Sequence, residues 1–187
     1  MSQSLLFILR VATDIFVLIL LVRALLQLVQ ADFYNPISQT VFKICAPLVE
    51  PLRKVLPTIG RLNLAAVVAA LLVQWAFYVI ILAISGQLSP QLFAYLAVAA
   101  FDVLSALVEI YFLGIFILVI SSWVGTTNHP TVRLVGQIVE PYMRPFRNLI
   151  PPIGMIDISP MVAIFALMLI QSRLLPMIGG LIKPMLG

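Results

Sequence analysis

Residues 47–60 read PLVEPLRKVLPTIG, and residues 141–154 read PYMRPFRNLIPPIG. The second stretch follows the first at one constant offset of 94 positions, and the offset continues without a gap from Pro36 (Pro130) to Asn63 (Asp157). The identical pairs within the two stretches include Pro47 and Pro141, Pro51 and Pro145, Arg53 and Arg147, Pro57 and Pro151, and Gly60 and Gly154. A fixed offset through so many prolines indicates an internal repeat. The chain is therefore predicted to be one unit written twice.

The composition indicates a membrane protein. Of 187 residues, 63% are hydrophobic and only 10% are charged, and the mean hydropathy is +1.16. A soluble domain of this size could not cover so much apolar surface. The net charge of +4 comes from basic residues that border the hydrophobic segments rather than forming a patch with aromatics, so we expect no nucleic-acid partner. The single cysteine, Cys45, excludes an intrachain disulfide and a multi-cysteine metal site.

Four hydrophobic segments predict four transmembrane helices in an all-α membrane protein. The first is about 25 residues, or ~37 Å as a helix, which is enough to span with some tilt. The predicted spans are residues 5–29, 64–84, 99–124 and 160–182. They divide the chain into two parallel tandem repeats of two spans each, residues 1–91 and 92–187. Residues 92–98 either lie in the interface or extend the third helix outward, and Pro176 predicts a kink in the fourth.

The linkers within the repeats, residues 32–61 and 125–157, are predicted to be amphipathic. In each, apolar residues fall on one helical stripe and charged residues on the opposite face, which is typical of a helix lying in the membrane interface. Proline lacks an amide donor and clashes with the preceding turn, so we expect each helix to break at its first proline, Pro47 or Pro141. Asn63 and Asp157 are predicted N-caps of the spans that follow, supported at the second site by Pro160.

The basic residues predict the orientation in the membrane. Seven of the 11 lysines and arginines lie in the two linkers, whereas the turn at residues 85–91 has none. Because positively charged loops stay in the cytoplasm, both linkers should be cytoplasmic and both termini periplasmic.

Three segments of the chain resemble the YggT (YlmG) family of small bacterial and plastid membrane proteins. They are DFYNPISQ at residues 32–39, the first motif at residues 47–60, and EPYMRPFRNLIPPIGMIDISP at residues 140–160. The first repeat departs from the full pattern, because Asn63, Ala65 and Ala66 stand where the second repeat has Asp157, Ser159 and Pro160. The resemblance implies a multi-pass protein of the bacterial inner membrane with a role in osmotic-stress tolerance and potassium homeostasis. Plastid members resemble assembly factors for haem attachment.

The arginines of the repeated motif have two interpretations. Arg53 and Arg147 either hold a lipid phosphate or an acidic partner, or serve as general anchors beside an anionic leaflet, where each basic residue gains ~1 kcal/mol. The prolines and glycines are interpreted as architectural, because they shape the segment and carry no chemistry.

Charged residues within the predicted spans are candidates for function. A charge at the bilayer centre costs at least ~2.5–3.5 kcal/mol, so such residues should pair or line a wet cavity. Arg10 and Asp14 are placed to pair along one helix face, Arg23 to snorkel to the interface, and Arg173 to meet Asp102. These charges either form a carboxylate site for a cation or proton, or make interhelical salt bridges that fix packing. The full set is Arg10, Asp14, Arg23, Asp102, Glu109 and Arg173.

No motif indicates catalysis or a cofactor. His129 has no second ligand at metal spacing, and no serine has a base partner in its sequence context. We therefore expect a non-enzymatic membrane factor that acts by contact with anionic lipid and with a membrane-protein partner or further copies of itself. Two alternatives remain open: a small oligomeric ion or proton pathway, and a membrane assembly factor related to the plastid haem-attachment factors.

Overall fold

The protein is almost entirely helical in a computed structural model that describes residues 3–86, 90–150, 157–182 and 184. Its helices are α1 (Gln3–Leu28), α2 (Pro36–Arg53), α3 (Leu64–Ile84), α4 (Ala94–Val124), α5 (Pro130–Leu149), α6 (Ser159–Leu169) and α7 (Leu175–Ile182). A 3₁₀ turn at Pro90–Phe93 leads into α4, and a π-helical stretch at Ile170–Leu174 joins α6 to α7. Two short strands, β1 (Thr58–Ile59) and β2 (Leu62–Asn63), pair in antiparallel fashion between α2 and α3.

The prediction of four helices able to span a membrane is confirmed by their length and composition. Within the described residues, four helical segments are long and apolar enough to cross a membrane: Gln3–Leu28, Leu64–Ile84, Ala94–Val124 and Ser159–Ile182. The third is longer than its predicted span because the helix extends outward to Ala94. Its 31 residues make a rod of about 46 Å, which exceeds the ~30 Å hydrocarbon core.

The fourth span changes its hydrogen-bond pattern one turn before Pro176 rather than at it. The π-helical stretch Ile170–Leu174 lies directly before α7. Proline donates no amide hydrogen and its ring crowds the preceding turn, so the widened turn accommodates Pro176 without ending the helix.

The predicted break in each linker helix is wrong. α2 continues through Pro47 and Pro51, and α5 continues through Pro141 and Pro145. All four prolines lie on the exposed side of their helices, one turn apart. The carbonyl groups that lose a donor therefore face the surroundings rather than the protein interior, which lowers the cost of each proline.

Matching caps begin the helices on either side of each linker. Asn35 and His129 accept hydrogen bonds from the amides two residues later, at 2.9 and 3.3 Å, at the starts of α2 and α5. Asn63 accepts from the Ala65 amide and Asp157 from the Ser159 amide, both at 2.9 Å. The predicted N-cap role of Asn63 is thereby confirmed. Asp157 makes the expected hydrogen bond, but the N-cap residue of α6 is Ile158, so the predicted N-cap position is wrong by one residue.

Helix packing brings α2 and α5, the two motif helices that carry the repeated prolines, to one end of the bundle. α1 packs against α3 through a row of four fully buried alanines, Ala65, Ala66, Ala69 and Ala70, because small side chains allow two helices to approach closely. α4 lies against α1, α3 and α5. At the starts of the two motif helices, Asn35 Nδ2 donates to the Pro130 carbonyl at 3.4 Å. α2 and α5 therefore begin side by side.

Candidate functional site

The two motif helices present one face to the bundle and one away from it. In α2 the buried residues are Ser38, Cys45 and Val49, and in α5 they are Leu134, Ile138, Val139 and Met143. The exposed faces carry cations with no ion pair in the described part of the chain, namely Lys43, Lys54, Arg133 and Arg144. Both linker helices therefore have an inner and an outer face, as their amphipathic sequences predict. In α2, however, part of the apolar stripe stays open, because Ile44 and, beyond the helix, Val55 are exposed.

Arg23 connects the first span to α2. It is 1% exposed, and its Nη2 donates to Glu50 Oε1 at 2.7 Å while Nη1 donates to the Phe42 carbonyl at 3.2 Å. The guanidinium group also lies 5.0 Å from the centre of the Phe42 ring, a favourable cation–π distance. The prediction that Arg23 snorkels to the interface is wrong, because Glu50 on α2 supplies a partner within the protein.

The motif arginines Arg53 and Arg147 have unequal surroundings. Arg53 lies 3.9 Å from Glu50, with both side chains about half exposed. Arg147 pairs with Glu140 in its own helix and lies 3.5 Å from Asp157 beyond the helix. Since Asp157 also accepts a hydrogen bond from Ser159, the first residue of α6, the Arg147 contact ties the end of α5 to the fourth span.

The surroundings of Asp157 stabilise the charged form of its carboxyl group. Partial burial acts to raise its pKa, but the hydrogen bonds from Ser159 and the nearby Arg147 outweigh it and lower the pKa of Asp157 below its ordinary value. The carboxylate is therefore the favoured form at neutral pH.

The buried sides of α2 and α5 contain polar groups with structural roles. Cys45 is 0% exposed, and its thiol points to the Ile19 carbonyl at 3.8 Å. Burial raises the pKa of Cys45, and Arg23 offsets this only in part, so the thiol is unreactive. In α5, burial raises the pKa of Tyr142. Its hydroxyl group donates to the Ala163 carbonyl in α6 at 3.1 Å.

A cluster of polar side chains lies within the spans, where α1, α3 and α4 meet. Asp102 on α4 accepts hydrogen bonds from Gln74 Nε2 at 3.0 Å and from the Tyr78 hydroxyl group. Gln74 is 2% exposed, and its Oε1 atom has no hydrogen-bond partner in the described residues. Asp14 on α1 interacts with Asp102 and Gln74 and lies 3.8 Å from Arg10. The predicted Arg10–Asp14 pair is confirmed.

The other two intramembrane charges are not part of this cluster. Arg173 lies in the exposed π-helical stretch and forms no ion pair with Asp102, whose partners come from α3. The predicted Arg173–Asp102 contact is therefore wrong. Glu109 is exposed on α4 and has no ion pair or hydrogen bond in the part of the chain described here.

The remaining motif residues shape the chain. Pro57 follows α2, and Gly60 sits at the hairpin turn with a φ of 59°, a conformation that glycine adopts without steric cost. Pro160 occupies the first turn of α6, as predicted, and the buried Ser159 begins this helix. Pro151 and Gly154 lie outside the described residues.

Three residues that complete these contacts were not among the predicted site residues: Glu50, Gln74 and Tyr78. Glu50 could have been found from the sequence, because a buried arginine near the end of a span requires an anion in an adjacent element. Gln74 could also have been found, because it is the only strongly polar residue inside the second span. Tyr78 is one turn from Gln74, but only the packing of α3 on α4 turns both towards Asp102.

Four helices that are long and apolar enough to cross a membrane indicate a helical membrane protein. The sequence model of the CCB3/YggT family matches residues 2–84 and again residues 97–178. The chain belongs to the CCB3/YggT family.

Several bacterial relatives match nearly the whole chain. An uncharacterised protein of Pseudomonas aeruginosa is 38% identical over 91% of this chain and 88% of its own. One from Haemophilus influenzae is 32% identical over 88% and 87% of the two chains, and YggT of Escherichia coli is 29% identical over 97% and 96%. These proteins are described as uncharacterised, and no solved structure matches the chain.

Proposed function

We propose that this chain is a non-enzymatic factor of the bacterial inner membrane that docks another membrane component onto the exposed faces of α2 and α5. The observation that carries this proposal is that each of the two helices has one buried face and one exposed, basic face. Their inner faces are buried against the spans, whereas Lys43, Lys54, Arg133 and Arg144 are exposed and lack an ion pair in the described residues. Four such cations, on or directly after two helices that meet at their starts, suit an acidic protein segment, with anionic lipid headgroups around it.

We further propose that the chain is a tandem repeat, with units at residues 1–91 and 92–187. Support comes from the double match of the family model and from equivalent caps at one offset, Asn35 with His129 and Asn63 with Asp157. The buried residues keep the same offset, since Cys45 and Val49 correspond to Val139 and Met143.

In the proposed orientation α2 and α5 face the cytoplasm and both termini face the periplasm. The basic residues of the linkers favour this side. The hydrogen bond from Asn35 to Pro130 supports a common side for both linkers. The physiological setting that we propose, osmotic-stress tolerance and potassium homeostasis, rests on the family resemblance alone.

Site-specific photo-crosslinking in native membranes tests the docking proposal. A photoreactive residue at Lys43 or Arg133 should capture the same protein, and capture should fall several-fold when the other exposed cations are changed to glutamine. The matched control is Ser85, which is exposed at the opposite end of α3. Equal capture from Ser85, or capture of lipid alone from both motif helices, would contradict the proposal.

The second candidate is an oligomeric ion or proton pathway, favoured by the electrostatic interaction between Asp14 and Asp102 within the spans. Cation or proton flux in proteoliposomes should then fall strongly in Asp14→Asn and Asp102→Asn. Glu109→Gln is the matched control, because Glu109 lies outside the cluster. Flux that is absent, or unchanged in the two asparagine variants, rejects this candidate.

A further inference from the structure

A cavity of about 300 Å³ opens between the end of α1, the middle of α2 and the β1–β2 hairpin. This volume is at the lower end of the range of small-molecule sites. Its lining combines apolar and polar side chains and contains no aspartate or glutamate: Leu26, Gln27, Gln30, Ala31, Phe33, Phe42, Thr58, Gly60 and Arg61. The proposed docking faces of α2 and α5 do not include this cavity.

The polar part of the lining offers hydrogen-bond donors and a positive charge. Arg61 has no ion pair or hydrogen bond within the described ranges, so its guanidinium group remains available. The Gln27 side chain uses its carbonyl oxygen to accept from Asn63 Nδ2 at 2.8 Å, which leaves its amide hydrogens free to donate. Thr58 adds a hydroxyl group. This combination suits a phosphate oxygen, which accepts several hydrogen bonds and prefers arginine.

The apolar part of the lining lies beside these donors. Phe33 and Phe42 contact each other edge to face, with ring centres 5.4 Å apart, and Leu26 is part of the buried core. The cavity adjoins the end of a membrane-spanning helix, so an acyl chain can run along the aromatic pair while the phosphate remains at the interface.

The local backbone also shapes the cavity. Gln30 has a φ of 52° and is the only non-glycine residue with positive φ in the described chain; Gly60 has a φ of 59°. Both line the cavity. Gln30, in the left-handed conformation, closes the end of α1. Its amide donates to the Gln27 carbonyl, and the Ala31 amide donates to the Leu26 carbonyl. The chain turns away there and leaves the space open.

We propose that this cavity binds one anionic phospholipid, with the phosphate held by Arg61 and Gln27 and the first part of an acyl chain against Phe33 and Phe42. The corresponding positions of the second half are different. At the repeat offset, Met155 occupies the position equivalent to Arg61, and Gly136 occupies the position equivalent to Phe42. The site therefore belongs to the first half alone and is distinct from the general attraction of basic linkers to anionic lipid.

Native mass spectrometry of the purified full chain, titrated with phosphatidylglycerol or phosphatidylcholine, tests the proposal. We expect one retained phosphatidylglycerol per chain and weaker phosphatidylcholine binding. Arg61→Gln should lower the phosphatidylglycerol affinity about tenfold, as expected for one charged hydrogen bond. Thr58→Trp, which fills the cavity from an exposed strand position, should weaken both lipids.

Arg173→Gln is the matched control, because it removes an exposed arginine outside both the docking faces and the cavity. The phosphatidylglycerol affinity of this variant should equal that of the unchanged protein. Equal losses in Arg61→Gln and Arg173→Gln would overturn the proposal in favour of non-specific attraction. Competition by glycerol phosphate or inorganic phosphate as effective as that of the lipid would also overturn it, because the ligand would then be a soluble anion.

Discussion

Arg23 Nη2 donates a 2.7 Å hydrogen bond to Glu50 Oε1, and the two residues are 27 positions apart in the chain. The contact joins a membrane-spanning helix to a motif helix, and only the arginine is fully enclosed, with 2% of its side chain exposed against 50% for the carboxylate. A guanidinium group so far from water depends on its partner. α2 is therefore an attached part of the bundle rather than a loosely held surface helix.

Removing the carboxylate of Glu50 should destabilise the protein. Glu50→Gln keeps an amide oxygen that can accept from Arg23, but it removes the negative charge that compensates the buried guanidinium group, so we expect a loss of about 2 kcal/mol or more. Thermal unfolding in detergent measures the loss. A double change, Arg23→Met with Glu50→Gln, should recover most of it because no unpaired charge is then buried.

Arg53→Gln is the control for this prediction. Arg53 contacts the same carboxylate, but at 3.9 Å and with both partners about half exposed, so the expected loss is below ~1 kcal/mol. A similar loss in Glu50→Gln and Arg53→Gln would show that Arg23 does not depend on Glu50.

Gly114 sets the distance between α4 and α5. A Cβ atom at this position would lie 2.5 Å from Val139 Cγ1, and Val139 is itself 1% exposed. Gly114→Ala should therefore cost about 1–3 kcal/mol through overpacking, and Val139→Ala should restore part of it in the double variant. Gly180→Ala is the control in another helix, where nothing lies within 4 Å of the added atom, and it should leave the thermal midpoint unchanged or raise it. Additive losses from Gly114→Ala and Val139→Ala would contradict the proposed contact.

Asp157 should give the protein a pH-dependent contribution to stability. Its pKa is lowered in the folded state, so the stabilisation is fully present above the ordinary value of 3.8 and is lost as the pH falls through the folded pKa. Asp157→Asn keeps the cap, as Asn63 does at the equivalent position, but removes the charge near Arg147. At pH 7 this variant should be less stable by no more than ~1 kcal/mol, because the pair is partly exposed.

The measurement is the difference in unfolding free energy between the unchanged protein and Asp157→Asn as a function of pH. The difference should vanish in acid. Asp157→Ala also removes the cap and should remain less stable at both ends of the pH range. A difference for Asp157→Asn that persists below the folded pKa would exclude the charge as its cause.

Asp102 should be replaceable by asparagine but not by alanine. Asparagine retains an oxygen that accepts from Gln74 and Tyr78, and it removes a charge that is costly within a membrane. Alanine leaves the buried Gln74 amide unpaired, with an expected loss of about 1–3 kcal/mol. Thermal unfolding of the two variants in detergent measures the difference, and equal losses would show that the carboxylate charge itself stabilises the helices.

The spans and caps could be predicted from the sequence because they depend on local properties. Hydrophobic length specifies the four helices, and the side chains of Asn63 and Asp157 reach amides only two residues away. The partners of Arg23 and Asp102 could not be predicted in the same way, because they come from helices whose rotation is decided by packing. The prediction of a helix break at Pro47 and Pro141 was wrong for a related reason. The energetic cost of a proline depends on whether its helix face is buried or exposed, and a single linker sequence does not specify that.

The common side of the two motif helices is the arrangement on which the docking proposal depends. Single cysteines introduced at Lys43 and Arg133, in a Cys45→Ser background, should react with a membrane-impermeant maleimide from the same side of sealed membrane vesicles. Both positions are exposed, and the hydrogen bond from Asn35 to Pro130 places the starts of their helices together. A cysteine at Gly86, beyond the opposite end of α3, should react from the other side. Labelling of positions 43 and 133 from opposite sides would overturn the parallel repeat, because two repeats of two spans each must return both linkers to one face of the membrane.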